Sequence, residues 1–181
     1  FMSGGGHQVF YDGGSLARAG DMVVVSINYR IGALGYLYLP EIERDGGAAA
    51  NRGLLDQIAA LKWVADNIAQ FGGDSRRITI AGQSAGGNSV WALLADPASR
   101  ALICGAIPQS PSTNTLPIAR ADEFSHAFHK AAGVTRGDVA RLRALSPAEI
   151  VAAQRSVVMQ IAATGERTLA SVEDAIAIMT A

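Results

Sequence analysis

RITIAGQSAGGNSVWALL, Arg77 to Leu94, places one serine, Ser84, where an apolar strand pattern gives way to an apolar helix pattern. Arg77–Ala81 reads as a buried strand, and Ala85–Ala95 as a helix that ends before Asp96-Pro97. In GQSAG, Gly82 and Gly86 stand two residues to either side of Ser84. That is the GxSxG spacing a sharp strand-to-helix turn requires where side chains would collide. A serine hydroxyl is a weak nucleophile that becomes useful when exposed, close to a base and close to donors for a developing oxyanion. The helix start supplies such donors, the first being the backbone N–H of Ala85. A small-residue turn that merely packs a helix closely on a sheet would leave the same glycines. The strand before and the helix after are the context that the catalytic reading demands, and they favour it.

Working outward, MVVVSIN, Met22–Asn28, is a short run rich in β-branched residues and reads as a buried strand. From Asn51 to Gly72 the apolar residues Leu54, Leu55, Ile58, Leu61, Ala65 and Ile68 recur at three and four, and Gly72-Gly73 closes the helix they predict. LICGAI, Leu102–Ile107, makes a third strand that Pro108 is expected to terminate. Strand and helix alternating on short connections predict an α/β fold with a parallel sheet covered on both faces. From Ala119 onward the pattern turns to alanine-rich helices without strands. One opens with Ser146-Pro147-Ala148-Glu149, a serine cap, a proline in the first helical position and a glutamate placed to close a capping box. Residues 1–118 are thus expected to form the sheet-bearing part, and residues 119–181 a helical layer or cap beside it.

At 181 residues the chain has the size of one domain and can bury about 70% of its unfolded surface. Fifteen Lys plus Arg against sixteen Asp plus Glu give a net charge of -1 with no run of like charge, which argues against a nucleic-acid partner. No apolar stretch reaches the roughly 20 residues that span a bilayer. The single Cys104, set in ALICGAI, reads as a packed thiol, and Trp63 and Trp91 read as helix-packing residues. The chain opens on Phe1 rather than methionine, so further sequence upstream is expected; compartment and oligomeric state stay open.

Upstream of the serine, Gly4-Gly5-Gly6 fits either a flexible terminus or a loop whose bare backbone approaches a substrate carbonyl and gives further oxyanion donors. At this point the sequence resembles a known family. SINYRIGALGYL, NRGLLDQIAALKWVADNIAQFGGD and ITIAGQSAGG look like successive signature blocks of the type B carboxylesterase and lipase family, which includes cholinesterases and bacterial para-nitrobenzyl esterases. The resemblance runs from Gly4 to Ala153. It implies an α/β-hydrolase fold, incomplete in this chain, and hydrolysis of a small-molecule carboxylic ester by a serine, an acid and a histidine, without a cofactor. By matched position, Ser84 is the nucleophile and Gly5, Gly6 and Ala85 are the oxyanion-hole donors. Arg30 and Asp56 match a pair that is commonly a structural salt bridge in the family. The chain departs from the family pattern at Ser3 (usually His), His7 (usually Phe), Gln83 (usually Glu) and Pro111 (usually Gly).

The triad's other members are not evident. In this fold they follow the serine, acid first and histidine after. His7 precedes Ser84, while His126 and His129 sit in DEFSHAFHKAAG and read as two histidines on a partly exposed helix. No ligand set accompanies them, so no metal site is expected. Asp96, Asp122, Glu123, Glu149, Glu166, Glu173 and Asp174 offer carboxylates, but none lies in a segment resembling the family's acid loop. The expectation is the central part of a serine esterase whose acid and histidine lie outside the chain. The alternatives are a non-catalytic, cholinesterase-like adhesion relative or an inactive truncated product.

Overall fold

The computed structural model of the protein describes residues 4–44, 46–112 and 115–164. Ser3, Glu166, Glu173 and Asp174 therefore lie outside the described residues. In chain order the elements are α1 (Gly14–Gly20), α2 (Gly32–Tyr36), α3 (Pro40–Arg44), α4 (Arg52–Asn67), β1 (Thr79–Gln83), α5 (Ala85–Ala95), α6 (Pro97–Arg100), β2 (Gly105–Gln109), α7 (Ile118–Ala132), α8 (Val139–Arg143) and α9 (Pro147–Thr164). Interleaved segments build two compact units: residues 4–29 with 54–112, and residues 30–53 with 115–164.

The first unit holds the sheet. β1 and β2 pair in parallel with Thr79 opposite Gly105 and Gln83 opposite Gln109, and α5 packs against both. Both strands run two residues beyond their expected ends. For β2 that means passing through Pro108. The ladder explains why: Gly105 N donates to the Ile78 carbonyl, and the Gln109 carbonyl accepts from Ser84 N at 2.8 Å. Alternation along the strand turns Pro108 away from β1, where its missing N–H removes no ladder bond. The expected helix over Asn51–Gly72 forms as α4, tightens into a 3-10 turn at Ile68–Phe71, and ends on Gly72 in the left-handed region at φ 85.

Three expectations fail in this unit. Met22–Asn28 joins no ladder, and Met22, Val23, Val24, Val25 and Ile27 are exposed. A β-branched run becomes a strand only where a neighbour offers matching N–H and C=O groups, and among the described residues the ladder holds two strands. Cys104 is exposed rather than packed. Trp63 and Trp91 are about half exposed, because Leu61 and Ile68, and Val90 and Leu93, take the buried positions; Trp63 instead meets Phe71 with ring centroids 6.0 Å apart.

The second unit is helical. Phe124 and Phe128, one turn apart on α7, bury against Ala153, Val157 and Ile161 at the same spacing on α9. α9 opens with the expected capping box: Ser146 N donates to Glu149 Oε2 at 2.7 Å while Glu149 N donates to Ser146 Oγ at 3.3 Å. His126 is exposed, but His129 is buried, contrary to the sequence reading. It follows Phe128 onto the buried face, where its Nδ1 meets the Ser125 carbonyl oxygen at 2.7 Å. Its Nε2 lies 2.6 Å from buried Glu41 Oε1, without the alignment of a hydrogen bond.

Arg52, at the start of α4, organises the segment before it. Its guanidinium donates to the carbonyls of Ala33 (3.3 Å), Leu34 (3.1 Å), Leu37 (2.6 Å), Ala48 (3.0 Å) and Ala49 (3.4 Å). These five oxygens lie around α2 and in the loop after α3, and two of them, of Ala33 and Ala49, also accept from Leu37 N and Leu39 N. Burial pushes the Arg52 pKa down and Arg30 adds to the effect, yet arginine stays protonated and its rigid fork keeps every donor aimed. Arg52→Leu should lower the unfolding free energy by at least about 2 kcal/mol, because carbonyls inside the fold lose their donor together. Arg52→Lys should recover only part of the loss in a urea titration, since one ammonium cannot reach five acceptors.

Candidate active site

Ser84 stands at the carboxyl end of β1, the end where open parallel sheets present their ligand sites. Its backbone is held at φ 54, ψ -113, a region that residues with a Cβ rarely adopt, and its side chain is exposed. The conformation has a local cause. A Cβ on Gly82 would lie 2.3 Å from the carbonyl carbon and oxygen of Gly86, so the chain reverses through a gap that only glycine leaves open. Ser84 N is fixed to the Gln109 carbonyl and the Ser84 carbonyl accepts from Asn88 N at 3.0 Å, which ties the turn to β2 on one side and to α5 on the other. The strain is thus imposed by the ladder and the helix together, and it turns the hydroxyl outward.

Ala85 begins α5, and the first N–H groups of a helix have no acceptor within it. They face the space beside Ser84 with the positive end of the helix dipole. Asn88, one turn on, donates through Nδ2 to Ser112 Oγ at 2.8 Å and anchors α5 to the loop after β2. In that loop Ser110 has φ 47, and Pro111 packs against Gly87, where a Cβ would lie 3.2 Å from the proline ring. The sequence singled out Pro111 but neither Asn88 nor Ser110. A polar residue inside an apolar helix pattern was the signal for Asn88; nothing in PQSPS marked the positive φ.

The glycine loop belongs to the same compact unit as Ser84. Gln8 N donates to the Gly5 carbonyl at 3.2 Å, closing a turn, and the His7 ring folds back on Gly5, with Cε1 2.8 Å from where a Cβ would stand. A Cβ on Gly6 would lie 2.6 Å from the Ile27 carbonyl oxygen, so the close approach to the Met22–Asn28 segment requires glycine there. Gly6 N already has an acceptor, Asn28 Oδ1, at 2.8 Å.

No histidine pairs with Ser84 among the described contacts. His126 is exposed and His129 is engaged by Glu41 and by the Ser125 carbonyl, both in the unit built from residues 30–53 and 115–164. A shallow hollow of about 550 Å³ is lined by α9 residues, among them Arg155, Ser156 and Met159, and by none of the candidate site residues. Among the described residues, no group of His, Cys, Asp and Glu is placed to hold a metal ion, and no helix is long and apolar enough to cross a membrane.

The sequence matches the profile described as the carboxylesterase family over residues 1–178. It is 41% identical to the para-nitrobenzyl esterase of Bacillus subtilis over 153 residues, 84% of this chain and 31% of that protein. It is 38% identical to the fumonisin B1 esterase of Sphingopyxis macrogoltabida over 184 residues, 99% of this chain and 33% of that protein. Among solved structures, a thermophilic PNB esterase superposes with a TM-score of 0.83 at 38% identity, covering 88% of this chain and 33% of that one. The chain spans about a third of the length of these relatives.

Substitutions at two positions test the turn. Ser84→Gly should raise the unfolding free energy by about 1 kcal/mol, because glycine adopts the same backbone without strain, while Ser84→Ala should not. Gly82→Ala should destabilise by about 3 kcal/mol or prevent folding, since the new methyl meets backbone that has no side-chain freedom to move away. Thermal or urea unfolding of the three variants reads both.

Proposed function

The chain belongs to the carboxylesterase family, and from that premise we propose that it is the nucleophile-bearing part of a serine esterase acting on small carboxylic esters. The fold is that of the α/β hydrolases, of which the described residues form a part. The observation that carries the proposal is Ser84 itself, exposed at φ 54 and ψ -113 between β1 and α5. A strained, side-chain-out serine at a strand-to-helix turn is costly for a scaffold and useful for a nucleophile.

In the reaction, Ser84 Oγ attacks the ester carbonyl carbon as a histidine takes its proton, and the carbonyl oxygen becomes an oxyanion. The N–H of Ala85 and those of Gly5 and Gly6 stabilise that charge as it forms. Collapse expels the alcohol, protonated by the same histidine, and leaves an acyl group on Ser84. Water activated by the histidine then attacks the acyl carbon and regenerates the serine through a second oxyanion. These steps use only the nucleophile, a base with its orienting acid, and backbone donors. The histidine and acid are assigned to sequence outside this chain, in keeping with the engaged His129, the exposed His126 and the third of a relative's length that the chain spans. Retention of a strained Ser84 favours this reading over a purely adhesive relative, for which the strain would serve no purpose.

In the full-length protein, Ser84→Ala should lower kcat for para-nitrophenyl acetate by about a thousandfold or more. A variant that turns over at the parental rate would contradict the assignment.

A further inference from the structure

The backbone N–H of Gly6 has one hydrogen, and in this structure the chain itself accepts it. Gly6 N donates to Asn28 Oδ1 at 2.8 Å. The same oxygen lies 3.6 Å from where a Cβ on Gly5 would stand and 3.5 Å from where one on Gly6 would stand. The carboxamide oxygen therefore rests in the hollow left by two residues without side chains. Asn28 is exposed and joins no ladder, so neither burial nor strand pairing requires its side chain to be there. Chemically, Oδ1 is a carbonyl oxygen seated on an amide donor, which is the position an ester carbonyl or its oxyanion would take.

Resting on the reading of Ser84 as nucleophile and Gly6 as oxyanion donor, we propose that Asn28 is a positioning residue that holds the Gly6 N–H in the resting enzyme and releases it to the oxyanion of the transition state. The exchange discriminates by acceptor strength. An ester carbonyl is a weaker acceptor than a carboxamide, so a bound ester does not displace Asn28. An oxyanion accepts a charge-assisted bond about twice as strong as a neutral one and does displace it. The Gly6 donor is then realised in the transition state and withheld from the ground state, so Asn28 keeps a bound ester from gaining that hydrogen bond and weakens ground-state binding. Meanwhile the resting loop keeps its donor aligned on one acceptor.

Steady-state kinetics of the full-length protein on para-nitrophenyl acetate test this with two substitutions. Asn28→Leu keeps the side-chain volume and removes the acceptor, and Asn28→Ala removes both. Each should raise kcat/KM about two- to tenfold, the scale of one neutral hydrogen bond, mainly by lowering KM with kcat close to parental. If Asn28 only anchors the loop, both variants will lose kcat at unchanged KM, and the inference is overturned. Thermal unfolding of each variant separates loss of fold from loss of the contact, and at this exposed position at least one variant is expected to fold. Ser84→Ala in each background keeps the two readings apart. Turnover that survives Ser84→Ala overturns the nucleophile assignment, whereas Ser84-dependent turnover with a lowered kcat overturns only the role of Asn28.

Discussion

The approach of Gly82 to Gly86 is the constraint on which the rest of the site depends. With backbone against backbone at a distance no Cβ tolerates, the chain leaves β1 and enters α5 within one residue, and that residue is Ser84. Strain at Ser84 is held by hydrogen bonds at both ends, its N–H donating to β2 and its carbonyl accepting from the first turn of α5. Neither partner alone suffices: the ladder orients the incoming strand, and the helix fixes the outgoing direction. Exposure of the hydroxyl and proximity of the Ala85 N–H are consequences of the same reversal. One steric fact thus connects a five-residue sequence motif to the proposed nucleophile and its proposed first oxyanion donor.

Much of this was legible in the sequence because its causes are local. GxSxG between an apolar strand pattern and an apolar helix pattern located Ser84, and α5 begins and ends where the pattern places it. The capping box at Ser146 and Glu149 and the glycine end of α4 were readable for the same reason. Met22–Asn28 was misread because strand formation is not local: β-branched residues favour extended backbone, but a ladder needs a partner, and none of the described segments provides one. Pro108 was misread in the opposite sense. Proline bars a strand only where its N–H is needed, and which side of the ladder it faces depends on the register with β1.

The buried polar groups were the least legible. His129 and Glu41 lie far apart in sequence, and neither His126 nor His129 in DEFSHAFHKAAG announces which faces inward; the phenylalanines beside them decide it. Nothing in the sequence around Arg52 marks a role for it, yet its guanidinium donates to five carbonyl oxygens. Asn28 stood at the end of an expected strand, and its contact with Gly6 depends on a loop that the sequence showed only as a glycine run. Interactions that close a loop onto a distant side chain leave no period to read. They are found only when the backbone is in place.

The central question is whether Ser84 is an activated nucleophile. The direct measurement is to treat the full-length protein with a fluorophosphonate and locate the adduct by peptide mass spectrometry. The account predicts stoichiometric phosphonylation of the peptide that carries Ser84, with loss of labelling in Ser84→Ala. An unlabelled folded protein, or a label that maps to another residue and persists in Ser84→Ala, would contradict it.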